Sequence, residues 1–451
     1  MARPAQTGRR RTARWVVAEA LAEAAKCFPY LKPSKPRVEG LEPREAALAL
    51  AIYRTSMQRW LSIEYLLDLH LRKPMRLLEP RLRGVLLSGA AQLLFMDRLP
   101  PHAVVDESAR VARSMVRPGA TALINAVLRR LSEQVCHSTS SQPWALSADG
   151  LPLDRGVVVL RAGLLPDPVK LVDHLSVATS HPRPLIERWL HRYGREQTIA
   201  ICRHGVATPP VIVATEPSAA GGADVGLTNP HVADGFRVWT GTRDQLVAWL
   251  GEHAARRVQD PASAEPIQAT ARLDPAWCVD YCAGRGTKTR QAAWLHPHAQ
   301  LVATDVAADR VADLKFAFEG HPRVCVVATA GVAGACPREG VDLLVLDVPC
   351  TNTATLGRRP EARYRFSDRT LASLVGLQRR IIDAAIGLLR PGGHLLYSTC
   401  SLEEQENQHQ ARWMVRQHAM AVVRESQVLP AGVGVAYHDG SYHALLTTKK
   451  G

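Results

Sequence analysis

The sequence predicts an α-helical bundle followed by a doubly wound α/β domain. Three observations carry that expectation. Between Pro43 and Glu133 apolar residues recur at three- and four-residue steps with no strand-like run. From about residue 255 short apolar runs alternate with helical stretches. The first of those runs, WCVDYC, passes straight into a glycine-bearing loop and then a helix.

Taken in order, residues 1–40 read as a basic arm plus one short helix, closing on the Pro-rich link YLKPSKPRVEG. Residues 41–135 form the helical domain. Its helices are REAALALAIYRTSMQRWLSIEYLLDLHL, the mostly buried LRGVLLSGAAQLLFM, and TALINAVLRRLSE, with a break near Leu99, Pro100 and Pro101. Residues 136–165 are rich in Ser, Pro and Gly and read as a linker. Residues 166–255 are expected to make a small α/β linking subdomain. In it HPRPLIERWLHRYGREQTIAICRHG gives two helices, the first presenting Leu185, Ile186, Trp189, Leu190 and Tyr193 on one face. PPVIVATEP is a strand there, and PSAAGGADVGLTNPHVADG a loop. Residues 256–451 hold the α/β domain, with strands in WCVDYC, LVATDV, RVCVVAT, VDLLVLDV and GGHLLYSTC. No internal repeat is visible.

Composition bounds the function. The 451 residues carry a net charge of +14, and residues 1–135 contribute 23 Lys/Arg against 12 Asp/Glu. Such front-loading fits a polyanion partner. No apolar run reaches the roughly 18–20 residues that span a bilayer. The N-terminal stretch is interrupted by Glu19 and Glu23, so it lacks a secretory core, and a cytoplasmic location is expected. The nine cysteines include no paired C-x-x-C set, so neither a metal site nor a disulfide framework is expected. Nothing demands more than a monomer.

Two sheet edges carry the chemistry. After WCVDYC, Gly284 and Gly286 permit tight turns and close approach of a ligand to the backbone. Asp305, 19 residues beyond Gly286, stands where an acid meets ribose hydroxyls in nucleotide-binding α/β folds. That pairing alone does not separate a dinucleotide from S-adenosylmethionine. Thr289 occupies the third glycine position of the pyrophosphate fingerprint, which argues against a dinucleotide-dependent oxidoreductase. VDLLVLDVPC ends at Asp347 and Cys350, and GGHLLYSTC ends at Cys400. Two thiols and a carboxylate at strand ends suit methyl transfer to a pyrimidine carbon. A thiolate adding to carbon 6 of cytosine makes carbon 5 nucleophilic. A protonated Asp347 would supply ring nitrogen 3, and a second thiol would assist release. The base must be unstacked to reach such a pocket.

At these residues the chain resembles the NOL1/NOP2/Sun family of RNA cytosine-C5 methyltransferases. The resemblance runs through VQDPAS at 258–263, DYCAGRGTKT at 280–289, Asp305 with Arg310 in the same motif, DVPCTNTATLGRRPEARYRF at 347–366, LLRPGGHLLYSTCSLEEQEN at 388–407, and the closing DGSYHALL. The paired P-C and T-C motifs are its most specific elements. It implies a Rossmann-like domain that uses S-adenosylmethionine and no metal. It implies Cys400 as nucleophile, Cys350 as the thiol that aids release, and Asp347 beside them. It places the cofactor against Cys282, Ala283, Gly284, Arg285, Gly286, Thr287, Lys288, Asp305, Thr329 and Asp347. The helical front is similar to the NusB-like RNA-binding domain. Within the family that domain marks the bacterial small-subunit rRNA type, RsmB/Sun, so 16S rRNA is the implied partner.

The chain departs from the family pattern at several points. The loop A-P-G-G-K-T is here Gly284-Arg285-Gly286-Thr287-Lys288-Thr289, with an arginine for the rigid proline. Thr329 replaces an Asp, Asn352 and Ala354 replace glycines after Cys350, and an Arg is missing from VIVATEP. A catalytically degenerate RNA-binding or ribosome-assembly factor is therefore the alternative; it would keep the basic bundle and bind no cofactor.

Overall fold

The computed structural model describes residues 11–140, 142–161, 163–214, 226–253 and 255–448. The chain divides into two compact units, residues 1–207 with 359–365, and residues 208–358 with 366–451. No helix among the described residues is long and apolar enough to cross a membrane.

The first unit opens with six helices: α1 (Ala13–Cys27), α2 (Pro43–Gln58), α3 (Trp60–Asp68), α4 (Pro80–Phe95), α5 (Pro101–Met115) and α6 (Ala120–Gln134). Proline starts α2, α4 and α5, where its missing N–H costs no helical bond. Helix α4 is buried along almost its whole length, as its unbroken apolar run requires. At Gly84 it comes so close to α1 that an added Cβ would lie 2.2 Å from the Ala18 carbonyl oxygen. Helix α1 is thus a member of the bundle rather than part of a separate arm. Val16, Val17, Leu21 and Ala22 form its buried face. Residues 1–10 of the expected arm lie outside the described residues.

The stretch 136–165, read as a linker, instead carries most of a three-stranded sheet. Strands β1 (Val135–Ser140), β2 (Gly150–Pro152) and β3 (Val157–Leu160) pair antiparallel in the order β1-β3-β2. The strands are too short for their alternation to outweigh the polar composition between them. Helices α7 (Leu171–Ala178) and α8 (Arg183–Gly205) follow in the same unit. Gly194, at φ +73°, breaks α8 into the two helices that the sequence predicts. Segment 359–365 completes this unit with Arg363. Its guanidinium is fully buried and donates to the carbonyls of Gln58, Thr179, Ser180 and Gly205. The span 166–255 is accordingly divided between the two units rather than forming one subdomain.

The second unit begins with β4 (Ile212–Ala214), β5 (Thr228–Pro230), β6 (Phe236–Trp239), α9 (Arg243–Gly251) and β7 (Arg257–Val258), a four-stranded sheet ordered β5-β6-β4-β7. Strand β5 falls in a stretch read as loop. There follow α10 (Pro261–Gln268), β8 (Trp277–Asp280), α11 (Thr287–Leu295), β9 (Gln300–Asp305), α12 (Ala308–Ala317), β10 (Val324–Ala328), α13 (Val332–Ala335) and β11 (Val341–Asp347). After α14 (Pro360–Tyr364), which belongs to the first unit, the second unit resumes with α15 (Asp368–Ala385), β12 (Leu389–Thr399), α16 (Gln408–Gln417), β13 (Ala421–Val428) and β14 (Ser441–Thr447). These strands form a seven-stranded sheet ordered β10-β9-β8-β11-β12-β14-β13, parallel through β12 and antiparallel at β14. Alternating residues pack on opposite faces. Leu344, Leu346, Leu395 and Tyr397 meet Ile382 of α15 and Met414 of α16; Leu343, Val345, Leu396 and Leu445 meet Ile267 of α10 and Ala292 of α11. Strand order reverses between β8 and β11, which opens a crevice beyond their carboxyl ends.

His443 is an exception in this interior. It pairs with Ser398 and Ser426 on the strands flanking β14, is 1 % exposed, and neither ring nitrogen has a hydrogen-bond partner among the described residues. Burial, with Arg424 adding, pulls its pKa down to about 4. The folded state keeps the ring neutral while the unfolded chain takes up a proton below about pH 6.5. Stability is therefore complete above that pH and falls as pH drops toward 4, by about 3 kcal/mol from this residue. Denaturation in urea from pH 7 to 4 should show a shallower loss for His443→Leu than for the wild type; equal slopes would refute the assignment.

Candidate active site

The loop after β8 is held by its own backbone. Tyr281 N–H donates to Val345 O (3.0 Å), Ala283 N–H to Thr304 O (2.9 Å) and Gly286 N–H to Ala283 O (2.8 Å). Gly284 and Gly286 adopt φ of +59° and +80°, the left-handed region that a side chain disfavours. They serve different ends. A Cβ at Gly286 would lie 2.5 Å from the Phe318 ring, so this glycine permits close packing. A Cβ at Gly284 would meet nothing within 4 Å, so there the loop faces open space. Arg285, in the proline position, is exposed, and the loop closes without the proline.

Beneath the loop lies Asp280. Thr289 Oγ1 donates to its Oδ2 at 2.6 Å, and its Oδ1 is buried with no partner. Burial pushes this carboxyl up to about 7; Thr289 and Lys288 oppose the rise, while Asp347 and Asp305 add to it. Burial, then the same carboxylates, also push up Cys282, which leaves that thiol protonated and unreactive. Asp305, at the end of β9, accepts from Gly284 N–H (3.2 Å), Ala307 N–H (3.0 Å) and Arg310 (3.3 Å). Next to it Val306 is 89 % exposed, an apolar surface at the rim of the crevice. Thr329 accepts from Thr304 Oγ1 at 3.1 Å. An acid for ribose hydroxyls, an apolar rim for an adenine ring, open backbone at Gly284 and an orphaned carboxyl oxygen suit an adenosine-bearing sulfonium.

Strands β11 and β12 bring the reactive groups together. Cys350 Sγ and Cys400 Sγ are 3.3 Å apart. Cys400 S–H donates to Asn352 Oδ1 at 3.2 Å, so the shared proton between the sulfurs belongs to Cys350. That hydrogen bond, then burial, push the Cys350 thiol well up, and it keeps its proton. Asp347 accepts from Lys288 Nζ at 2.7 Å and from Ser398 Oγ at 2.8 Å. Burial alone would lower the Lys288 ammonium. Asp347 outweighs it, with Cys400 and Asp280 contributing, and the net shift is upward. A cation is thereby held within electrostatic reach of the Cys400 sulfur.

The two thiol loops are clamped from below by Glu406, which is wholly buried. Its carboxylate accepts from Thr351 N–H (3.0 Å), Thr351 Oγ1 and Gln378 Nε2 (2.9 Å), and its own carbonyl accepts from Tyr397 Oη (2.7 Å). Gln378 also donates to Pro349 O at 3.0 Å. Asn407 accepts from Thr399 Oγ1 (2.6 Å) and donates to Ser401 O (2.8 Å), fixing the residues on either side of Cys400. Burial raises Glu406, and hydrogen bonds from Ser401, Thr351 and Gln378 oppose the rise.

The sequence-expected residues therefore fall into two groups in one crevice: the β8 and β9 loops with Asp305, and the thiol pair with Asp347. Lys288 bridges them. Sequence reasoning placed Lys288 with the cofactor and missed its pairing with Asp347. It also missed Glu406 and Val306, and marked Asn352 only as a replaced glycine, without its contact to Cys400. Nothing in SLEEQEN distinguishes the buried Glu406 from its exposed neighbour Glu404.

Comparison with known proteins agrees with this geometry. A family described as 16S rRNA methyltransferase RsmB/F matches residues 269–445, and the NusB family matches residues 11–133. The chain is 27 % identical over 408 residues to the ribosomal RNA small subunit methyltransferase B of Xanthomonas campestris pv. campestris, covering 89 % of this chain and 85 % of that protein. It is also 27 % identical over 420 residues to the protein of the same description from Salmonella paratyphi B, covering 89 % of each. Among solved structures, that of PH0851 superposes over 97 % of this chain and 99 % of its own, with a TM-score of 0.69 at 20 % identity; this similarity is one of fold. The match to the 16S rRNA methyltransferase RsmB/F family spans both edges of the crevice, and the NusB-family match covers the helical front, so the chain is similar to RsmB/F methyltransferases in its α/β part and to the NusB family in its bundle.

Proposed function

We propose that this chain methylates carbon 5 of a cytosine in 16S rRNA, with S-adenosylmethionine as donor and a transient bond from Cys400 to carbon 6 of the base. The observation that carries the reading is the pair of sulfurs 3.3 Å apart, at the ends of adjacent strands, beside the Lys288–Asp347 ion pair.

Asp305 and the backbone at Gly284 would hold the adenosine end of the donor, with Val306 against its ring. When bound, the donor supplies an electrophilic methyl group. Cys400 gives up its S–H proton to water and its sulfur forms the bond to carbon 6. Ring nitrogen 3 needs a proton as that bond forms, and Lys288 holds one at Asp347 Oδ2, so the carboxylate can pass it to the ring. Cys350 keeps its proton and donates to the Cys400 sulfur, which favours departure of that sulfur once water has taken the carbon-5 proton and its electron pair restores the ring double bond. The positive excess of residues 1–135 is suited to the phosphate backbone, and contacts of that kind weaken as salt rises.

Bisulfite sequencing of 16S rRNA tests the reading. One cytosine should resist deamination in the parent strain and convert in a strain lacking this gene. Identical patterns in the two strains would exclude the assignment.

A further inference from the structure

We propose that Asn352 is a positioning residue for the nucleophile: its carboxamide accepts the Cys400 S–H and keeps the sulfur aimed until a substrate displaces it. The inference rests on Cys400 being the nucleophile, and it adds a residue that neither the fold nor the reaction requires.

The backbone at position 352 has a φ of +60°. Most side chains are strained there, whereas Gly and Asn tolerate it. The turn is secured by Thr355 N–H donating to Asn352 O at 3.1 Å and by Ala354 N–H donating to Cys400 O at 3.1 Å. Within it the orientation of the side-chain amide is determined by its partners. Asn352 Nδ2 donates to Cys350 O at 2.7 Å, which leaves only Oδ1 toward the Cys400 sulfur at 3.2 Å. Turning the amide over would set two acceptors, Oδ1 and the Cys350 carbonyl, against each other. The atom facing Cys400 is therefore an acceptor. It stabilises a thiol and opposes a thiolate. The other groups bearing on that sulfur are the Cys350 thiol after β11, Lys288 of α11 with its partner Asp347, and Glu406 below the Cys350 loop. Of these, Lys288, Asp347 and Glu406 make no bond to Asn352, while Cys350 loses the side-chain amide's bond to its carbonyl when residue 352 is changed.

The test needs neither RNA nor methyl donor, so it can fail independently of the functional reading. The whole protein is alkylated with iodoacetamide across a pH series, and modification of the Cys400 peptide is followed by mass spectrometry. Asn352→Gly suits the backbone angle and removes the acceptor. Asn352→Asp keeps the size, makes the acceptor a carboxylate and gives up the bond to Cys350 O. The pH of half-maximal alkylation should fall by roughly one unit in the glycine variant and rise by a similar amount in the aspartate variant. Should the glycine variant fail to fold, the aspartate variant alone decides. Profiles that overlay the wild type, while Cys400 still reacts, would overturn the proposal. Loss of methylation in the cell with the alkylation shifts intact would leave it standing.

Discussion

Replacing Cys400 with alanine should reduce methyl transfer by about 10⁴-fold or more, into background, with binding of S-adenosylmethionine preserved. Carbon 5 of cytosine cannot attack a sulfonium without addition at carbon 6, and no other sulfur is placed to add. Cys282, the nearest alternative in the loop after β8, keeps its proton through burial and three carboxylates. Cys350 is 7 % exposed and holds its own proton on Cys400. The complementary variant, Cys350→Ala, should behave differently. It leaves the nucleophile in place but removes the S–H that donates to the departing sulfur. A protein–RNA adduct should then persist on denaturing gels, in an amount that depends on the presence of Cys400. Methylation surviving in Cys400→Ala would sink the assignment, and an adduct in the double variant would assign the bond to another residue.

The second large effect is expected at Glu406, which touches neither thiol. Glu406→Ala should lower turnover by roughly 10²-fold, because small misplacements of reacting groups cost about that much. Global stability should fall by about 2–4 kcal/mol, since the Thr351 N–H and Gln378 amide lose a buried acceptor. Glu406→Gln keeps one acceptor oxygen but turns an NH₂ toward a donor, so it should recover only part of the loss. Affinity for S-adenosylmethionine should stay near that of the wild type in both variants, because Asp305 and Gly284 lie on other strands. A turnover within twofold of normal in Glu406→Ala would show that the thiol loops hold their geometry unaided.

Much of this architecture was legible beforehand because it depends on local pattern. Helical spacing marks α2 with α3, α4 and α6, apolar runs mark β8 to β12, and Gly284 and Gly286 announce a tight loop whatever the surroundings. The sheet β1-β3-β2 was not legible, because strands of three to six residues separated by polar turns carry too little periodicity. Helix α1 was misjudged as part of an arm because its basic flank obscured an apolar face that closes on α4 at Gly84.

The amino-acid order by itself determined the helical front, the α/β body, and the delivery of Asp347, Cys350 and Cys400 to strand ends. Those are consequences of periodicity and of strand direction, which every neighbouring residue reports. Tertiary structure alone decided that the two sulfurs meet at 3.3 Å, that Lys288 turns to Asp347, that Asn352 faces Cys400 and that Glu406 is buried. Each of these is a contact between side chains whose separation in sequence runs to 48 residues or more, or a choice of one carboxylate among several by burial. Register between strands sets such contacts, and register depends on the packing of the whole sheet.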